Sequence, residues 1–348
     1  MEMENRTRNY SGITNAVSAA VIDRWSQKET IAPVAESVRI DGKVCLVTGS
    51  NSGLGKAVAI DLAKRGGHVL MACRSGHPEA GEEVRRATGS DRVEMLRVDL
   101  ADLDSVHRFC DLLKRRGRRL DITVLNAGLM PRSARRSSQG YELMFAVHFL
   151  ANRVLIDRLL DDGLIRPSTH PEDRPRIVFV ASEAHRSAGP IDFDDFGAFS
   201  DYGLKDGLKH YAASKLRLCT FAHELSRRLN PGGEIRVAVN SLCPGPVNSN
   251  IAREAPTLLK SLLYPVMKML FASPAKAAQP VIYLCCAEEM GRRSGVYLHL
   301  MREKPASPLA RDEAAGARLW RVSAALLETH APGVQAESGS ASANGPAK

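Results

Sequence analysis

A tyrosine and a lysine one helical turn apart are residue types that can carry out proton transfer together. The stretch "HYAASKLRL" places Tyr211 and Lys215 four residues apart. Apolar residues recur at spacings of three and four from Leu218 to Leu229, which predicts a helix with both side chains on one face. A nearby ammonium group favours the phenolate and lowers the phenol pKa from about 10, which suits an acid/base near neutral pH. The alternative is that both side chains point into solvent, as many helical neighbours do.

A glycine-rich turn near the start of the chain has the residue types that bind a dinucleotide. The apolar stretch "VCLV" at 44–47 predicts a buried strand, and "TGSNSGLG" follows it. Glycines at a strand-to-helix turn allow the backbone to approach a pyrophosphate closely, and the N-terminus of the next helix favours its negative charge. The predicted cofactor contacts in this turn are Gly49, Ser50, Asn51, Ser52, Gly53, Leu54 and Gly55.

The end of the next predicted strand indicates which dinucleotide binds. The strand "HVLMA" at 68–72 runs into "ACRS", and Arg74 has no acidic neighbour there. A site for NAD places an acid near this point to hold the ribose hydroxyls, whereas a guanidinium suits the 2′-phosphate of NADP. The alternative is that Arg74 is an ordinary surface cation. We predict NADP(H) as the cofactor, in preference to NAD.

Short apolar stretches alternate with helical patterns along most of the chain. Further strands are predicted at 93–98, 122–125, 177–180 and 235–242, with a candidate seventh at 295–300. Helices are predicted up to about residue 66, from Leu103 to Leu113, across about 140–160 and around Tyr211. Short strands that alternate with helices form a parallel sheet covered on both faces. The sequence therefore predicts an α/β fold.

The two ends of the chain differ from this alternating region. Residues 1–40 are predicted to form an N-terminal extension, 41–328 the folded domain and 329–348 a tail that is disordered because it is rich in Ala, Ser, Gly and Pro. Apolar residues spaced by four in the extension predict a short amphipathic helix that packs on the domain or contacts a membrane surface. These residues are Ile13, Val17, Val21 and Trp25.

Composition and charge argue against several classes of protein. The chain has 348 residues and a net charge of +9, but its basic clusters at 114–119 and 131–138 lack interleaved aromatic residues, so we predict no nucleic-acid partner. Seven cysteines without a CxxC motif indicate a reducing compartment and no zinc site. There is no signal pattern and no stretch of about eighteen apolar residues, so a cytoplasmic protein is expected, with membrane association left open.

The order of these motifs resembles the short-chain dehydrogenase/reductase (SDR) family over about residues 40–328. "ACRS", "GYELMFAV" and "SEAH" are similar to its branch of retinol dehydrogenases and the WW-domain-containing oxidoreductase, although this chain has no WW domains. The other family motifs are Asp99 and Leu100 after the third strand, Asn126, Ala127 and Gly128 after the fourth, Ser182 after the fifth, and Pro244 and Gly245 with Val247 and Ser249 after the sixth.

The resemblance implies a single doubly wound Rossmann domain and a role for each matching residue. Tyr211 is implied as the catalytic acid/base, while Lys215 lowers its pKa and holds the nicotinamide ribose. Ser182 is implied to bind the substrate oxygen, although a serine at a strand end can also cap a local turn. Asp99 is implied to contact the adenine, and the residues after Pro244 the nicotinamide end.

One position departs from the family pattern. Aligned on the "GYE" motif, His148 occupies the place of an asparagine that in the family holds a water in a proton relay behind the lysine, and Asn152 lies one turn further on. Imidazole both donates and accepts hydrogen bonds, so we predict that His148 keeps the relay working and adds a pH dependence near its own titration. The alternatives are a weaker relay or a neutral replacement.

Two segments bear on the substrate. Residues 248–271 occupy the family's substrate-lid position and are apolar, which suits a hydrophobic carbonyl or alcohol. The segment between Ser182 and Tyr211 is predicted to be a surface loop near the substrate mouth, without metal-spaced histidines. We therefore predict an NADP(H)-dependent oxidoreductase. One alternative is a cofactor-binding protein with little catalytic activity and a regulatory role, and another is a peripheral membrane enzyme. The resemblance also implies a homo-oligomer formed through the helices after strands four and five.

Overall fold

The structure is a computed structural model that describes residues 30–246 and 272–329, without the side chains of Leu204 and Lys205. Its eight strands are β1 Val44–Thr48, β2 His68–Cys73, β3 Val93–Arg97, β4 Ile122–Leu125, β5 Arg176–Val180, β6 Ala238–Cys243, β7 Tyr297–His299 and β8 Arg302–Glu303. Its helices are α1 Gly53–Lys64, α2 Glu79–Thr88, α3 Leu103–Arg116, α4 Leu143–Phe145, α5 Ala151–Asp161, α6 Leu204–Leu229, α7 Pro274–Cys286, α8 Pro308–Arg311 and α9 Glu313–Glu328. A π-helical turn, Ala146–Leu150, joins α4 to α5.

All eight strands form one sheet in the order β3-β2-β1-β4-β5-β6-β7-β8. Neighbours are parallel from β3 to β7, and only β8 runs antiparallel to its neighbour β7. The predicted doubly wound Rossmann sheet is confirmed. The strand order reverses between β1 and β4, so a crevice opens at their carboxyl ends, where this fold binds ligands.

The sheet has a hydrophobic layer on each face because side chains alternate along every strand. On β1, Leu46 packs with α3, α5 and α6, while Cys45 and Val47 pack with α1, α2 and α7. Strands buried on both faces carry apolar residues at nearly every position, which is why short apolar runs predicted them correctly.

The predicted sixth strand begins three residues too early. Arg236 and Val237 donate their backbone N–H groups to the side-chain oxygen of Asn230, at 2.7 and 3.1 Å. Those donors are therefore not free to pair with a neighbouring strand, and β6 starts at Ala238. The short strand β8 was not predicted.

Part of the predicted N-terminal extension packs on the domain. The backbone N–H of Ile31 donates to the Met301 carbonyl at 2.8 Å. The guanidinium of Arg65, which is 4% exposed, donates to the carbonyls of Val34, Ala35 and Val38. Residues 30–40 thus belong to the folded body. The predicted amphipathic helix from Ile13 to Trp25, the lid and the tail from residue 330 lie outside the described residues.

The C-terminal helix α9 covers part of α6. The indole of Trp320 stacks on Phe221 of α6 at 5.9 Å between ring centroids. It also lies under two guanidinium groups, those of Arg153 at 3.6 Å and Arg228 at 4.4 Å from its centroid. None of the helices in the described part of the chain is long and apolar enough to cross a membrane.

Candidate active site

The glycine turn is held against the end of β4 by side-chain hydrogen bonds. The Thr48 hydroxyl oxygen accepts from the backbone N–H groups of Asn126 and Ala127 at 3.0 and 3.1 Å. The Asn126 side chain donates in return to the carbonyls of Thr48 and Gly49, at 2.9 and 3.2 Å. Asn126 therefore shapes the cofactor turn by fixing its backbone.

Two glycines of this turn are required by close packing. Gly49 has φ +64°, and a Cβ there would lie 2.9 Å from the Cα of Ala127. A Cβ on Gly55 would lie 2.4 Å from both the Gly49 carbonyl oxygen and the Asn126 side-chain nitrogen. Any larger residue at either position would push the turn away from β4.

The start of α1 fits the pyrophosphate of a dinucleotide. Ser52 at the N-cap makes no side-chain capping bond, and the first turn contains no acidic residue. The first N–H groups of the helix are therefore available to an anion. Ser50 is fully buried and its hydroxyl donates to the Val47 carbonyl at 2.9 Å, so its side chain faces the core and only its backbone borders this turn.

The predicted adenosine contacts lie together at the carboxyl ends of β2 and β3. The Arg74 side chain is 64% exposed, and its guanidinium lies 3.9 Å from the Asp99 carboxylate. Asp99 also accepts from the backbone N–H of Ala101 at 2.9 Å, and Leu100 is buried. Arg74 and Asp99 line a groove with three further arginines, Arg97, Arg108 and Arg115.

The structure brings Ser182, Tyr211 and Lys215 together. Ser182 follows β5, and its side chain lies close enough to the phenol of Tyr211, which α6 carries, to lower the phenol pKa. The ammonium of Lys215 donates to the Val180 carbonyl at 3.1 Å and lies 5.7 Å from the centre of the Tyr211 ring. The capping alternative also holds for the serine, because its hydroxyl oxygen accepts from the Ala184 N–H at 3.2 Å.

The pKa values in this group differ from the expectation. Burial raises the pKa of Tyr211 to about 12, against the opposing effect of the Ser182 hydrogen bond. Burial also lowers the pKa of Lys215 to about 8. The predicted lowering of the phenol pKa by Lys215 is thus not found. The ammonium faces the ring and donates to a backbone carbonyl, so loss of water around the phenol dominates. The other titratable groups near Tyr211 are His148 and Cys243.

The His148 side chain has both ring nitrogens in use. It is fully buried in the π-helical turn. Its Nε2 accepts from the Leu129 N–H at 3.0 Å, and its Nδ1 lies 2.9 Å from the Ser214 hydroxyl, which donates to the Tyr211 carbonyl at 2.7 Å. A backbone N–H can only donate, so the imidazole is neutral with its proton on Nδ1. Burial first, and the charge of Lys215 second, place the His148 pKa well below its usual value.

The predicted water relay through the His148 ring does not fit this geometry, since neither nitrogen is free for a water. The predicted pH dependence near the titration of His148 is not expected either, because the ring stays neutral at ordinary pH. Asn152 does share this turn: its side chain donates to the His148 carbonyl at 2.8 Å, and its own oxygen has no partner among the described residues. Gly128 lies beside both His148 and Lys215.

The remaining predicted site residues are placed in part. Pro244 and Gly245 follow β6 directly. Val247, Ser249 and the lid segment 248–271 lie outside the described residues. Two contacts attach the loop before α6 to the segment around α4. Phe196 packs edge-on against Phe145 at 5.2 Å between ring centroids, and the Tyr202 hydroxyl donates to the Glu142 carboxylate at 2.5 Å.

The basic cluster at 114–119 has a structural role. In the basic cluster at 114–119, Lys114 pairs with Asp162 at 2.7 Å, and Arg116 and Arg118 pair with Glu94 at 2.5 and 3.3 Å. Those three cations therefore form ion pairs within the protein.

Within residues 30–246 and 272–329, no group of His, Cys, Asp and Glu side chains is arranged to hold a metal ion.

Comparison with known proteins identifies the family of this chain. The sequence profile described as short chain dehydrogenase matches residues 43–191. The chain is 37% identical over 307 residues to retinol dehydrogenase 13 of Homo sapiens, covering 85% of this chain and 88% of that protein. The chain belongs to the short-chain dehydrogenase/reductase family. This SDR lies in the retinol dehydrogenase branch, since it is also 34% identical to retinol dehydrogenase 14 of Homo sapiens, over 82% of this chain and 86% of that one.

A solved structure supports the same assignment for the fold of this SDR. An uncharacterised protein of Mycobacterium Paratuberculosis matches with a TM-score of 0.64 and 26% identity, over 85% of this chain and 98% of that one. The predicted family and branch are confirmed. The sequence does not predict the contacts of Ser214 with the His148 ring and the Tyr211 carbonyl, or those of His185 with the Ser182 carbonyl and the Ser307 N–H, because no residue pattern identifies a backbone partner.

Proposed function

We propose that this SDR uses NADP(H) to interconvert a hydrophobic carbonyl compound and its alcohol, with Tyr211 as the proton donor and acceptor. The observation that supports this most is that Ser182 and Lys215 both lie beside the Tyr211 phenol. These groups come from β5 and α6 and meet near the crevice where the glycine turn lies. A bound nicotinamide cofactor would supply or accept the hydride.

The chain's own residues would handle the oxygen and its proton. The Ser182 and Tyr211 hydroxyls both donate toward the substrate oxygen as negative charge develops on it. Tyr211 then gives its proton to the alkoxide during reduction, or takes one from the alcohol during oxidation. With a pKa of about 12, the phenol carries its proton at neutral pH, which suits reduction. The Lys215 ammonium, beside the ring, would hold the nicotinamide ribose.

Arg74 supports NADPH as the cofactor. Its guanidinium is largely exposed and lies 3.9 Å from the Asp99 carboxylate, so it is accessible to a phosphate. The absence of an acid beside it in "ACRS" removes the usual partner of the NAD ribose. A hydrophobic substrate is supported by the apolar sequence of residues 248–271 and by the retinol named for the relatives.

The test is NADPH consumption by the purified protein with all-trans-retinal and a panel of apolar aldehydes and ketones. Tyr211→Phe should reduce turnover at least about 100-fold, because a general acid contributes about that much. Tyr283→Phe is the matched control, since that hydroxyl donates to Glu289 on α7's side of the sheet. Equal turnover in wild type and Tyr211→Phe would refute the proposal.

A second function is favoured by the occupied ring of His148. If the relay behind Lys215 is weakened, the chain is a cofactor-binding SDR with little chemistry. NADPH binding without turnover on any panel compound would support that function, and turnover lost in Tyr211→Phe would exclude it.

A further inference from the structure

The loop that carries Ser182 contains a buried histidine that the proposed reaction does not use. Ser182 caps the short 3₁₀ helix Glu183–Ser187. His185 in this helix is fully buried. Its Nδ1 lies 2.7 Å from the Ser182 carbonyl oxygen, and its Nε2 lies 3.0 Å from the backbone nitrogen of Ser307. Because a carbonyl only accepts and an N–H only donates, the ring is neutral and its proton is on Nδ1.

The other end of this bridge lies in the C-terminal part of the domain. Ser307 is 5% exposed and caps α8, so its position is set by the helices that pack on α6. The Glu183 carboxylate joins the same two regions, because it accepts from the Tyr297 hydroxyl at 2.9 Å and from the Lys304 ammonium at 2.7 Å. The serine loop is therefore attached to the segment around β7 and β8 at both Glu183 and His185.

The bond to the Ser182 carbonyl affects the direction of the Ser182 side chain. The carbonyl of Ser182 accepts from the His185 ring and from the His185 backbone N–H at 3.1 Å. The Ser182 hydroxyl oxygen accepts from the Ala184 N–H at 3.2 Å, and its side chain lies near the Tyr211 phenol. The backbone carbonyl and the side-chain oxygen of Ser182 are therefore both held by hydrogen bonds within this loop.

We propose that His185 is a positioning residue, which aims the Ser182 hydroxyl toward Tyr211 through the hydrogen bond from its Nδ1 to the serine's carbonyl. This rests on the proposed function, because the direction of Ser182 matters only if Tyr211 is the reacting acid. Without the imidazole, the Ser182 carbonyl and the Ser307 N–H both lose a partner, and the loop turns to find others. A misplacement of about 1 Å at a catalytic group costs about 100-fold in rate.

Three substitutions separate this role from simple packing. His185→Phe removes both hydrogen bonds and keeps a ring against Tyr297, whose centroid is 5.1 Å away. His185→Asn keeps an N–H near Nδ1 for the Ser182 carbonyl and loses only the bond from Ser307. His223→Phe is the matched control, a largely buried histidine of α6 whose Nε2 has no partner among the described residues.

Two measurements are made on each full-length variant. The first is kcat and KM for NADPH with all-trans-retinal. The second is the tyrosinate ultraviolet titration, taken as the difference between each protein and the same protein carrying Tyr211→Phe. His185→Phe should lower kcat about 10- to 100-fold with KM for NADPH within about twofold. It should also raise the Tyr211 pKa, since the Ser182 bond lowers it. His185→Asn should recover most of both, and His223→Phe should change neither.

The inference is overturned if His185→Phe leaves both kcat and the Tyr211 titration unchanged, or if His185→Asn is no better than His185→Phe. If His185→Phe does not fold, His185→Gln replaces it, because the glutamine side-chain oxygen can accept from the Ser307 N–H but cannot donate to the Ser182 carbonyl.

If wild type reduces no retinal, the proposed substrate is wrong, and the Tyr211 titration alone tests the inference. A shift of the Tyr211 pKa in the His185 variants supports the inference, and an unchanged pKa overturns it.

Discussion

Tyr211, Lys215 and His148 lie next to one another, and burial shifts all three toward their neutral forms. The pKa of Tyr211 is raised to about 12, that of Lys215 is lowered to about 8, and that of His148 is well below its usual value. Removal of water disfavours the charged form of each group, and at His148 the charge of Lys215 adds to the effect. At this scale the site is built to hold a protonated phenol.

The proposed preference for NADPH rests on Arg74. Arg74→Gln should weaken NADPH binding at least about tenfold, which is about 1.4 kcal/mol, and leave NADH binding nearly unchanged, because only NADPH carries the 2′-phosphate. Direct fluorescence titration with each cofactor measures this. Arg108→Gln is the control, since Arg108 lines the same groove but pairs with Asp102 at 3.3 Å. Equal affinities of wild type for the two cofactors would contradict the assignment.

The role of His148 is tested by the substitution that restores the family residue. His148→Asn should leave the pH–rate profile between about pH 5 and 8 unchanged, because the imidazole is already neutral there. It should lower the free energy of unfolding by about 1 kcal/mol, because the partly buried Leu129 N–H loses its acceptor. Urea unfolding and the pH–rate profile measure the two effects. A profile that shifts near pH 6.5 would restore the relay interpretation.

At the scale of elements, the two ends of the described chain pack on the sheet and its helices. Residues 30–40 bond to Arg65 after α1, and α9 places Trp320 on α6. The contact of α9 covers part of α6, which is one of the helices through which the resemblance implies homo-oligomers. We expect any self-association of this chain to use a surface that α9 leaves open.

Two truncations separate the contribution of residues 30–40 to stability from any membrane contact of residues 1–29. Removal of residues 1–29 keeps the carbonyls of Val34, Ala35 and Val38, whereas removal of 1–40 leaves the buried Arg65 without them. The longer truncation should therefore be less stable by about 1–3 kcal/mol, measured by urea unfolding. Liposome flotation of the shorter truncation then tests membrane contact without the complication of a damaged fold. Equal stability of the two truncated proteins would show that the 30–40 contacts contribute little.

At the scale of the whole molecule, buried neutral histidines make stability depend on pH. Burial lowers the pKa of His185 and of His223 from 6.5 to about 4. A group whose pKa is lower in the folded state binds fewer protons when folded. The stability it contributes is therefore complete above pH 6.5 and is lost as pH falls toward 4.

Thermal unfolding between pH 7.5 and 4.5 should show a falling midpoint below about pH 6.5, with up to about 1.4 kcal/mol lost per pH unit for each histidine. His223→Gln should make this decline less steep, because it removes one of the titrating groups without touching the serine loop. A midpoint that stays constant over this range would contradict the burial of these neutral rings.

The sequence by itself determined the architecture and the order of the site motifs. Strands buried on both faces need apolar residues at successive positions, and a tight turn at Gly49 and Gly55 excludes side chains, so both leave a local pattern. The start of β6 was misplaced because a distant side chain, Asn230, occupies the backbone donors of Arg236 and Val237.

Only the tertiary structure decided how the site residues are held and charged. The partners of His148 are Leu129 and Ser214, and those of His185 are Ser182 and Ser307, two of them backbone N–H groups far along the chain. Backbone groups look alike in every residue, so no sequence pattern marks them. The pKa of Tyr211 depends on how much water is excluded around it, and that is a property of the packed molecule rather than of a four-residue spacing.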